Sequence, residues 1–577
     1  MTKNFIYPVL LAAAFLISAC NDILDPEVEL SLTEEDVLHN YNNTQARAVA
    51  IYTYLPNGFQ YIDGAMIASA GDEAEHTIET SAIQKFNTGT WNALDNPDGA
   101  WSNCFNGIRT ANLFLEKSDE VELDYYRLDP NPSQQEAYRT RLANIKRWKY
   151  EARFLRAYFY MELVKRYGGV PILERSYTVN DNYQNVQRNT LEECFDFIVA
   201  ECDSAARELP PVYEEGDLGR ATKGAALALK SRALLYRASD LYNDVSWCGG
   251  YAHPELISMV NADRLEQWDA AARAAKAVLD LSEAGYSLAP DYGELFRTYN
   301  SPEIILARRN GATNSFESTN FPIGYDGGNS GTTPSQNLVD AYEMSDGTDF
   351  VWPDDSQGGS QDEIFDPYAN RDPRLAYTIV TNNATFKDRA VECWAGGRDG
   401  KGVTRATKTG YYIRKYVDPN LDLLLGQTSI HSWILIRLGE IYLNYAEAMN
   451  EAYGPNDDHG YGMTALQAIN AVRNRTGVSM PPIPSSVTRE QLRERIRRER
   501  RIELAFEDHR LWDVRRWMTA TTDLAEPIRG VDINKRGGTY EYTPIEVEKR
   551  VFEPKMFFYP IPQKDINISR WPQNPLW

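Results

Sequence analysis

The strongest constraint on the fold is the segment KRWKYEARFLRAYFYMELVKRYGGVP, residues 146–171. Its apolar side chains recur every three or four residues: Trp148, Ala152, Leu155, Phe159 and Leu163, widened by Phe154, Tyr158 and Met161. A helix that is apolar around most of its circumference is buried. Gly168 and Gly169 end this helix, and Pro171 prevents it from resuming. The fold must therefore contain further elements that surround it.

Further segments show helical periodicity or helix-start signals. They cover roughly 190–208 (after Asn189 and Thr190), 220–242, 266–282, 433–453, 463–475 and 488–507. Thr488 and Gln491 have the spacing of a capping box. The segments 219–242 and 268–281 are rich in alanine, which permits close approach of neighbouring helices. Paired helices of this kind, joined by short turns, predict a mostly α-helical fold of the tetratricopeptide-like hairpin type.

Two regions of the chain lack helical periodicity. Gly, Asn, Asp, Thr and aromatic residues dominate between about 283 and 432, and again at 69–101. Loops this long inside a compact protein are usually functional or disordered, and the aromatic content argues against disorder. We therefore predict a helical scaffold that carries long irregular loops and a few short β-hairpins.

The N-terminus, MTKNFIYPVLLAAAFLISAC, has the features of a secretory signal. Its apolar run is shorter than the roughly 20 residues that span a bilayer. The tetrapeptide Ile17-Ser18-Ala19-Cys20 resembles a bacterial lipobox, in which the cysteine is acylated. Two or more acyl chains exceed the single chain that gives only marginal membrane binding. The prediction is a signal peptide at 1–19 and lipidation at Cys20; an ordinary secreted protein with a chance cysteine is the alternative.

The net charge is −22. A surface this acidic argues against nucleic acid as a ligand and does not hinder a neutral one. The run 488–501 contains seven arginines and three glutamates, and we interpret it as an ion-paired helix face. The cysteines after Cys20 form no CxxC motif and are expected to be buried free thiols: Cys104, Cys194, Cys202, Cys248 and Cys393.

Several further segments are informative when taken together: RFLRAYFYMELVKRYGGVPIL (153–173), TPSQNLVDAYEMSDG (333–347), RDPRL (371–375), GYYIRKY (410–416), ILIRLGEIYLNYAEAMNE (434–451), AINAVRNRTGV (468–478), IRRERRIELAFEDHRLWDVRRW (496–517) and YPIPQKDIN (559–567). Together they resemble the SusD/RagB family, the surface glycan-binding lipoproteins of Bacteroidetes. They occur in the family's order across nearly the whole chain. These motifs are scaffold rather than binding site.

The resemblance implies one domain over 20–577, with an N-terminal part at about 20–300 and a loop-rich and C-terminal helical part at about 301–577. It implies about four tetratricopeptide-like helix pairs. It further implies a lipid-anchored protein at the cell surface of the outer membrane that captures oligosaccharide or polysaccharide. The partner would be a SusC-like TonB-dependent transporter, and no catalysis is expected.

A neutral sugar has an apolar C–H face and a rim of hydroxyl groups, so binding requires exposed aromatic rings beside polar side chains. Because ligand sites in this family vary, the candidates follow from residue type and loop placement. The first group is Trp91, Asn92 and Asp72, with Trp91 as the stacking ring; burial of Trp91 under its loop is the alternative. The second group is Asn314, Phe316, Phe321 and Tyr325. The third group is Trp394 and Arg398.

Two other functions are compatible with the sequence. A surface glycoside hydrolase would need two carboxylates about 5–10 Å apart in a cleft, and no motif pairs two acids in this way. Capture of peptides, as in RagB-like members of the family, suits a helical-repeat groove. No hydrolase, zinc-protease or P-loop motif is present. The histidines lack metal-ligand spacing, so no metal or cofactor is predicted, although a loop-bound Ca²⁺ is compatible with the sequence.

Overall fold

The computed structural model describes residues 34–178, 180–260, 262–353 and 365–577. The predicted signal peptide at 1–19 and the predicted lipidation site Cys20 lie outside these ranges. Within the described ranges, no helix combines the length and the apolar character needed to cross a bilayer.

The helices are numbered in chain order. The first ten are α1 Glu34–His39, α2 Tyr41–Ile51, α3 Gln84–Thr88, α4 Ala100–Lys117, α5 Asp124–Leu128, α6 Pro132–Tyr167, α7 Leu191–Glu208, α8 Lys223–Ala238, α9 Arg264–Leu279 and α10 Tyr292–Leu295. The others are α11 Ser315–Asn320, α12 Gln336–Ala341, α13 Arg374–Thr378, α14 Leu438–Tyr453, α15 Ala465–Arg473, α16 Arg489–Glu503, α17 Arg510–Arg516, α18 Ala520–Asp523 and α19 Gln563–Ser569.

The strands are short and form antiparallel pairs. They are β1 Ala74–His76, β2 Ile304–Thr313, β3 Thr332–Pro334, β4 Ile379–Val380, β5 Thr385–Phe386, β6 Arg389–Ala390, β7 Tyr412–Ile413, β8 Ser429–Arg437, β9 Ile528–Arg536 and β10 Thr539–Glu548. The pairs are β1 with β3, β2 with β8, β4 with β7, β5 with β6, and β9 with β10.

Local signals set the helix boundaries. The Thr488 side chain accepts a hydrogen bond from the backbone N–H of Gln491. The Gln491 side chain in turn accepts from the backbone N–H of Thr488, so the predicted capping box is present. Thr190 and Glu193 form the same motif at the start of α7. α6 ends at Tyr167 because Gly168 adopts a left-handed φ of +71°. These boundaries confirm the sequence predictions for the start of α16 and the end of α6.

The long helices pack in succession. α4 lies against α6, where Gly107 faces the Phe159 ring and the Arg156 guanidinium donates to the Asn112 side chain at 2.7 Å. The same guanidinium pairs with Glu201 of α7 at 2.7 Å. α7 then packs on α8, α8 on α9, α9 on α14, and α14 on α15. The prediction of a mostly helical, tetratricopeptide-like scaffold with few short strands is confirmed.

The chain divides into two compact units. The described part of one unit is residues 34–47 and 117–145, where the Arg141 guanidinium lies 4.0 Å from the Tyr126 ring centroid and 4.8 Å from that of Tyr41. The described part of the other unit is residues 48–116, 146–178, 180–260, 262–353 and 365–577, with the strands and most of the helices. The domain limits 1–19 and 20–577 stay a prediction.

A buried set of charged side chains joins distant parts of the larger unit. We call it the ionic cluster: Glu303, Arg374, Lys415, Arg437, Arg475, Glu499, Glu503 and Glu507. Glu503 accepts from Arg374 at 2.9 Å, from Arg437 at 2.8 Å and from Arg475 at 2.7 Å. Arg437 and Lys415 each pair with Glu507 at 2.7 Å. Within the 488–501 run, Glu499 pairs with Arg374 and Arg473 inside the protein, whereas Glu494 pairs with Arg497 at the surface.

One predicted helix boundary was wrong. The helix expected at 433–453 begins at Leu438, and Ser429–Arg437 form β8 instead. A short continuous apolar run is compatible with either a buried helix or a buried strand. Here Trp433, Ile434 and Ile436 pair with β2, and Arg437 enters the ionic cluster at the strand end. The five cysteines after Cys20 are free and buried, as predicted.

Candidate functional site

The loop that carries Trp394 is held against strand β9. The backbone N–H of Ala395 donates to the Ile533 carbonyl at 2.8 Å, and that of Gly397 donates to the Trp394 carbonyl at 2.8 Å. Gly396 has a φ of +90°, and a Cβ on Gly397 would lie 3.0 Å from Trp394 Cε2. The glycines therefore let the turn pass directly beneath the indole. The Trp394 side chain is half-buried, so part of its ring is open.

Hairpin β9–β10 adds a cation and a second ring. The Lys535 ammonium lies 4.9 Å from the Trp394 ring centroid and 5.8 Å from the Tyr540 ring centroid. Lys535 is exposed and Tyr540 is half-buried. Together with the neighbouring polar side chains, these residues form what we call the Trp394 surface: Trp394, Arg398, Lys401, Asp532, Lys535 and Tyr540.

Two ion pairs form the polar part of the Trp394 surface. Arg398 donates to both oxygens of Glu392, at 3.1 and 3.2 Å, and Lys401 pairs with Asp532 at 2.9 Å. The indole N–H of Trp394 is buried and finds no hydrogen-bond acceptor among the described residues. Such an arrangement offers a partly open ring, a second ring and charged donors and acceptors side by side. It can cover an apolar ligand face and meet polar groups at its edge.

Phe321 and Tyr325 lie beneath this surface and not on it. Both rings pack on Phe386, with centroids 5.2 and 5.1 Å away, and both side chains are buried. The Arg389 guanidinium covers Tyr325 at 3.7 Å and pairs with Asp399, the neighbour of Arg398. The prediction that these two rings are exposed was wrong. They support the loop that carries Trp394 and Arg398.

The side chains of Phe316 and Asn314 also make contacts within the protein. Phe316 is buried against Phe59, with ring centroids 4.8 Å apart, so the prediction of an open ring was wrong here as well. Asn314 is half-exposed, and its side-chain N–H donates to the Gln427 carbonyl at 3.0 Å. Its predicted role in ligand binding stays a prediction.

Trp91 is a core residue. Its ring centroid lies 5.1 Å from that of Phe86, 4.9 Å from Tyr559 and 4.8 Å from Trp577, and only 2% of the residue is exposed. The prediction of Trp91 as an open stacking ring was wrong, and the alternative of burial under its loop is correct. The next residue, Asn92, is exposed, and its side chain accepts from the Leu94 N–H to form a turn.

Asp72 is paired internally. It is 4% exposed, and its carboxylate accepts from Arg510 at 2.8 Å and from Arg501 at 2.7 Å. Burial opposes ionisation, but these two arginines hold the pKa of the Asp72 carboxyl well below its usual value. The prediction that Asp72 binds ligand hydroxyl groups was therefore wrong, because its carboxylate oxygens accept hydrogen bonds from Arg501 of α16 and Arg510 of α17.

The adjacent carboxyl of Glu73 behaves in the opposite way. Burial, together with the negative charge of Asp72, raises the pKa of Glu73 to about 8. Its Oε1 atom is buried without a hydrogen-bond partner among the described residues. Glu73 therefore keeps its proton at neutral pH in the folded chain and loses it in the unfolded chain.

We expect the substitution Glu73→Gln to stabilise the protein at alkaline pH. Between the ordinary glutamate pKa and about 8, the folded state binds one more proton than the unfolded state, so wild-type stability falls as the pH rises through this window. The variant lacks this loss and should exceed wild type at pH 8 by at least about 1 kcal/mol, while matching it near pH 4.5. Urea unfolding followed by circular dichroism at both pH values measures the difference.

The neighbouring substitution Asp72→Asn provides the comparison for this prediction. It removes the partner of Arg501 and Arg510, so it should lower the free energy of unfolding at neutral pH, where Glu73→Gln is neutral or stabilising. An equal destabilisation by both substitutions would contradict the opposite protonation states of the two carboxyls.

The candidate residues therefore belong to separate environments. Trp394 and Arg398 share one loop above Phe321 and Tyr325, whereas Trp91 belongs to a core cluster and Asp72 to buried ion pairs. Across the described ranges, no group of three or more histidine, cysteine, aspartate or glutamate side chains has the arrangement of a metal site.

Sequence reasoning missed Lys535 and Tyr540. The signal that could have found them is Gly537-Gly538 within INKRGGTYEY, since a Gly-Gly pair between alternating residues is a β-hairpin signal. Both glycines have positive φ, +57° and +103°. Because the pair Arg536–Thr539 closes this turn, Lys535 lies directly opposite Tyr540.

Two family models match separate parts of the chain. A model of the SusD family matches residues 302–577, and a model described as starch-binding associating with outer membrane matches residues 34–235. A SusD-like protein of Bacteroides ovatus is 24% identical over 527 residues, which cover 89% of this chain and 83% of that protein.

Solved structures show the same fold. A SusD-like protein of Bacteroides fragilis has a TM-score of 0.76 and 26% identity, covering 94% of this chain and 99% of its own. A SusD-like carbohydrate binding protein of the same species has a TM-score of 0.72 and 25% identity, covering 92% and 99%. The two family models, the B. ovatus relative and these two B. fragilis structures are described as SusD or SusD-like, and the chain belongs to the SusD/RagB family.

Proposed function

We propose that this protein is a non-catalytic lipoprotein of the outer membrane that binds oligosaccharide or polysaccharide at the Trp394 surface. The observation that carries the proposal is the partly open Trp394 ring, with Arg398 on the same loop and Lys535 and Tyr540 on the adjacent hairpin β9–β10. Its family membership supports a carbohydrate ligand, since a B. fragilis relative of the same fold is described as carbohydrate binding.

The chemistry of a sugar ring matches this surface. The C–H face of the sugar packs on an indole or phenol ring, and its hydroxyl groups donate to Asp532 or accept from Arg398 and Lys401. Each hydrogen bond contributes a net stabilisation of only about 0.5–1.5 kcal/mol, because the hydroxyl was already bonded to water. A shallow site with two rings should therefore bind with micromolar to millimolar affinity, which suits capture and release.

The proposed place of action is the cell surface. Cys20 would be acylated and hold the chain on the outer membrane, and a SusC-like TonB-dependent transporter would receive the captured sugar. The description of the matching family model, which includes association with the outer membrane, supports this location. Purified protein should release no reducing ends from polysaccharide, and such release would favour a glycoside hydrolase instead.

We expect Trp394→Ala to lower affinity for the cognate glycan by at least about tenfold, because it removes both the stacking surface and the ring that positions Lys535. A glycan array that includes starch, xylan, pectin, levan and host glycans identifies the ligand, and isothermal titration calorimetry measures the change.

Trp247→Ala is the matched control. Trp247 is another half-buried loop tryptophan, but its indole N–H is bonded to the Asp244 carbonyl at 3.0 Å and its ring packs on Phe557. Affinity should be unchanged in this control. Equal affinities of wild type and Trp394→Ala would rule out the Trp394 surface, and binding of protein digests instead of sugars would favour peptide capture.

A further inference from the structure

An open cavity lies along helix α4, and none of its lining residues belongs to the Trp394 surface. It has a volume of about 530 Å³, within the range of small-molecule sites. Its walls are α4, the backbone segments 171–177 and 183–186, and the C-terminal helix α19 with Trp571. We call it the α4 groove, and its aromatic lining residues are Trp101, Phe105, Tyr177, Tyr183 and Trp571.

Two tyrosine rings at the groove are fixed in place. Arg175 covers Tyr177 at 4.0 Å and pairs with Asp181 at 2.7 Å. The Tyr183 ring lies 5.9 Å from the Tyr177 ring at an angle of 36°, and its hydroxyl donates to the Thr178 carbonyl at 2.9 Å. Tyr183 is nevertheless 42% exposed. The groove thus presents an open ring whose orientation does not have to be fixed on binding.

The groove also contains an unsatisfied acceptor. The Oδ2 atom of Asp565 is buried and has no hydrogen-bond partner in the described ranges. Burial raises the pKa of this carboxyl. Asp565 lines the groove, and a carboxylate accepts hydrogen bonds from ligand hydroxyl groups. Asn106 and Arg109 are exposed on α4 and add further polar groups to the rim.

Several backbone groups of the groove wall are already hydrogen-bonded. The Asn112 side chain donates to the carbonyls of Leu173 at 2.7 Å and Arg175 at 3.0 Å, and the Trp571 indole donates to the Val186 carbonyl at 2.6 Å. The Leu173 N–H donates to the Tyr160 hydroxyl at 2.6 Å. An extended peptide binds an exposed edge through free backbone groups. These groups are not free here, so the groove favours a ligand that uses rings and side chains.

We propose that the α4 groove is a second carbohydrate-binding site, at which a neutral oligosaccharide stacks on Tyr183 and donates a hydroxyl hydrogen bond to Asp565. This inference rests on the proposed function, since it assigns the same ligand class to a different surface. Two separate sites on one chain would raise the apparent affinity for a polysaccharide above that for a short oligosaccharide, by effective concentration.

The test uses mature lipoprotein in detergent and oligosaccharides from starch, xylan and levan, with isothermal titration calorimetry as the readout. The Trp394→Ala background removes the first site. In that background, Tyr183→Ala should lower the remaining affinity by at least about fivefold, and Tyr183→Phe, which keeps the ring, should retain it. Tyr125→Ala is the matched control, because Tyr125 is 73% exposed and lies outside the groove.

The possible results separate the two proposals. Residual binding that is lost with Tyr183→Ala and kept with Tyr183→Phe supports the groove. Loss of all binding with Trp394→Ala alone overturns the groove and leaves the proposed function in place. Residual binding that Tyr183→Ala does not change, or that is specific for peptides of a protein digest, also overturns the groove. A wild-type protein that binds neither these oligosaccharides nor any sugar of the glycan array contradicts both proposals.

Discussion

Replacement of Glu503 by Gln is expected to lower the free energy of unfolding by about 3–5 kcal/mol, because it leaves buried cations without their counter-charge. Glu503 lies between Arg374, Arg437 and Arg475 at 2.7–2.9 Å. Burial alone would raise the pKa of this carboxyl, but the three arginines hold it well below its usual value. A glutamine keeps the shape and presents an N–H₂ group to guanidinium donors. Urea unfolding at neutral pH, followed by circular dichroism, measures the loss.

Glu283→Gln is the control for this prediction. It is the same substitution in an exposed ion pair with Lys223, at 2.8 Å and with half of the Glu283 side chain open to solvent. Exposed pairs contribute about 0–1 kcal/mol, so the midpoint of unfolding should barely move. Equal effects of the two substitutions would mean that the ionic cluster does not stabilise the fold more than a surface pair.

The ionic cluster also explains why dispersed sequence motifs occur together. Arg374 comes from RDPRL, Lys415 from GYYIRKY, Arg437 from ILIRLGE, and Arg475 from AINAVRNRTGV. All four side chains pair with Glu503 or Glu507, which both belong to the segment 496–517. A buried charge requires a counter-charge at a fixed position. The motifs are therefore linked by one packing requirement and not by ligand contact, which agrees with their interpretation as scaffold.

Helices were predictable because their signals are local. The capping box of Thr488 and Gln491 and the end of α6 at Gly168 depend on residues within one turn of each other. The strand at Trp433–Arg437 was not predictable, because its partner β2 lies more than 100 residues earlier in the chain. A run such as WILIR has the same apolar pattern in a buried helix and in a buried strand.

Exposure of the candidate rings was the least predictable property. Trp91 is covered by Tyr559 and Trp577 at the far end of the chain, and Phe321 is covered by Phe386. Nothing within a loop segment specifies which distant side chain will cover it. Trp394 is only half-buried, on a loop that hydrogen-bonds to β9 and whose own Gly397 approaches the indole.

The second large effect is expected at Trp91. Trp91→Ala should lower the free energy of unfolding by about 3–5 kcal/mol, since it removes a fully buried ring that contacts Phe86, Tyr559 and Trp577. Trp91→Phe keeps a smaller ring and should cost less, because the remaining cavity is smaller. Urea unfolding followed by circular dichroism measures both variants.

Glycan affinity separates the two tryptophans. Folded Trp91→Ala, assayed below its unfolding midpoint, should bind glycan like wild type, whereas Trp394→Ala should lose affinity and retain most of its stability. The difference follows from burial, because a ring with 2% exposure cannot stack on a sugar and a partly open one can. If Trp91→Ala kept the stability of wild type and lost glycan binding, the ring would have to be open in solution, and its first interpretation as a stacking platform would be restored.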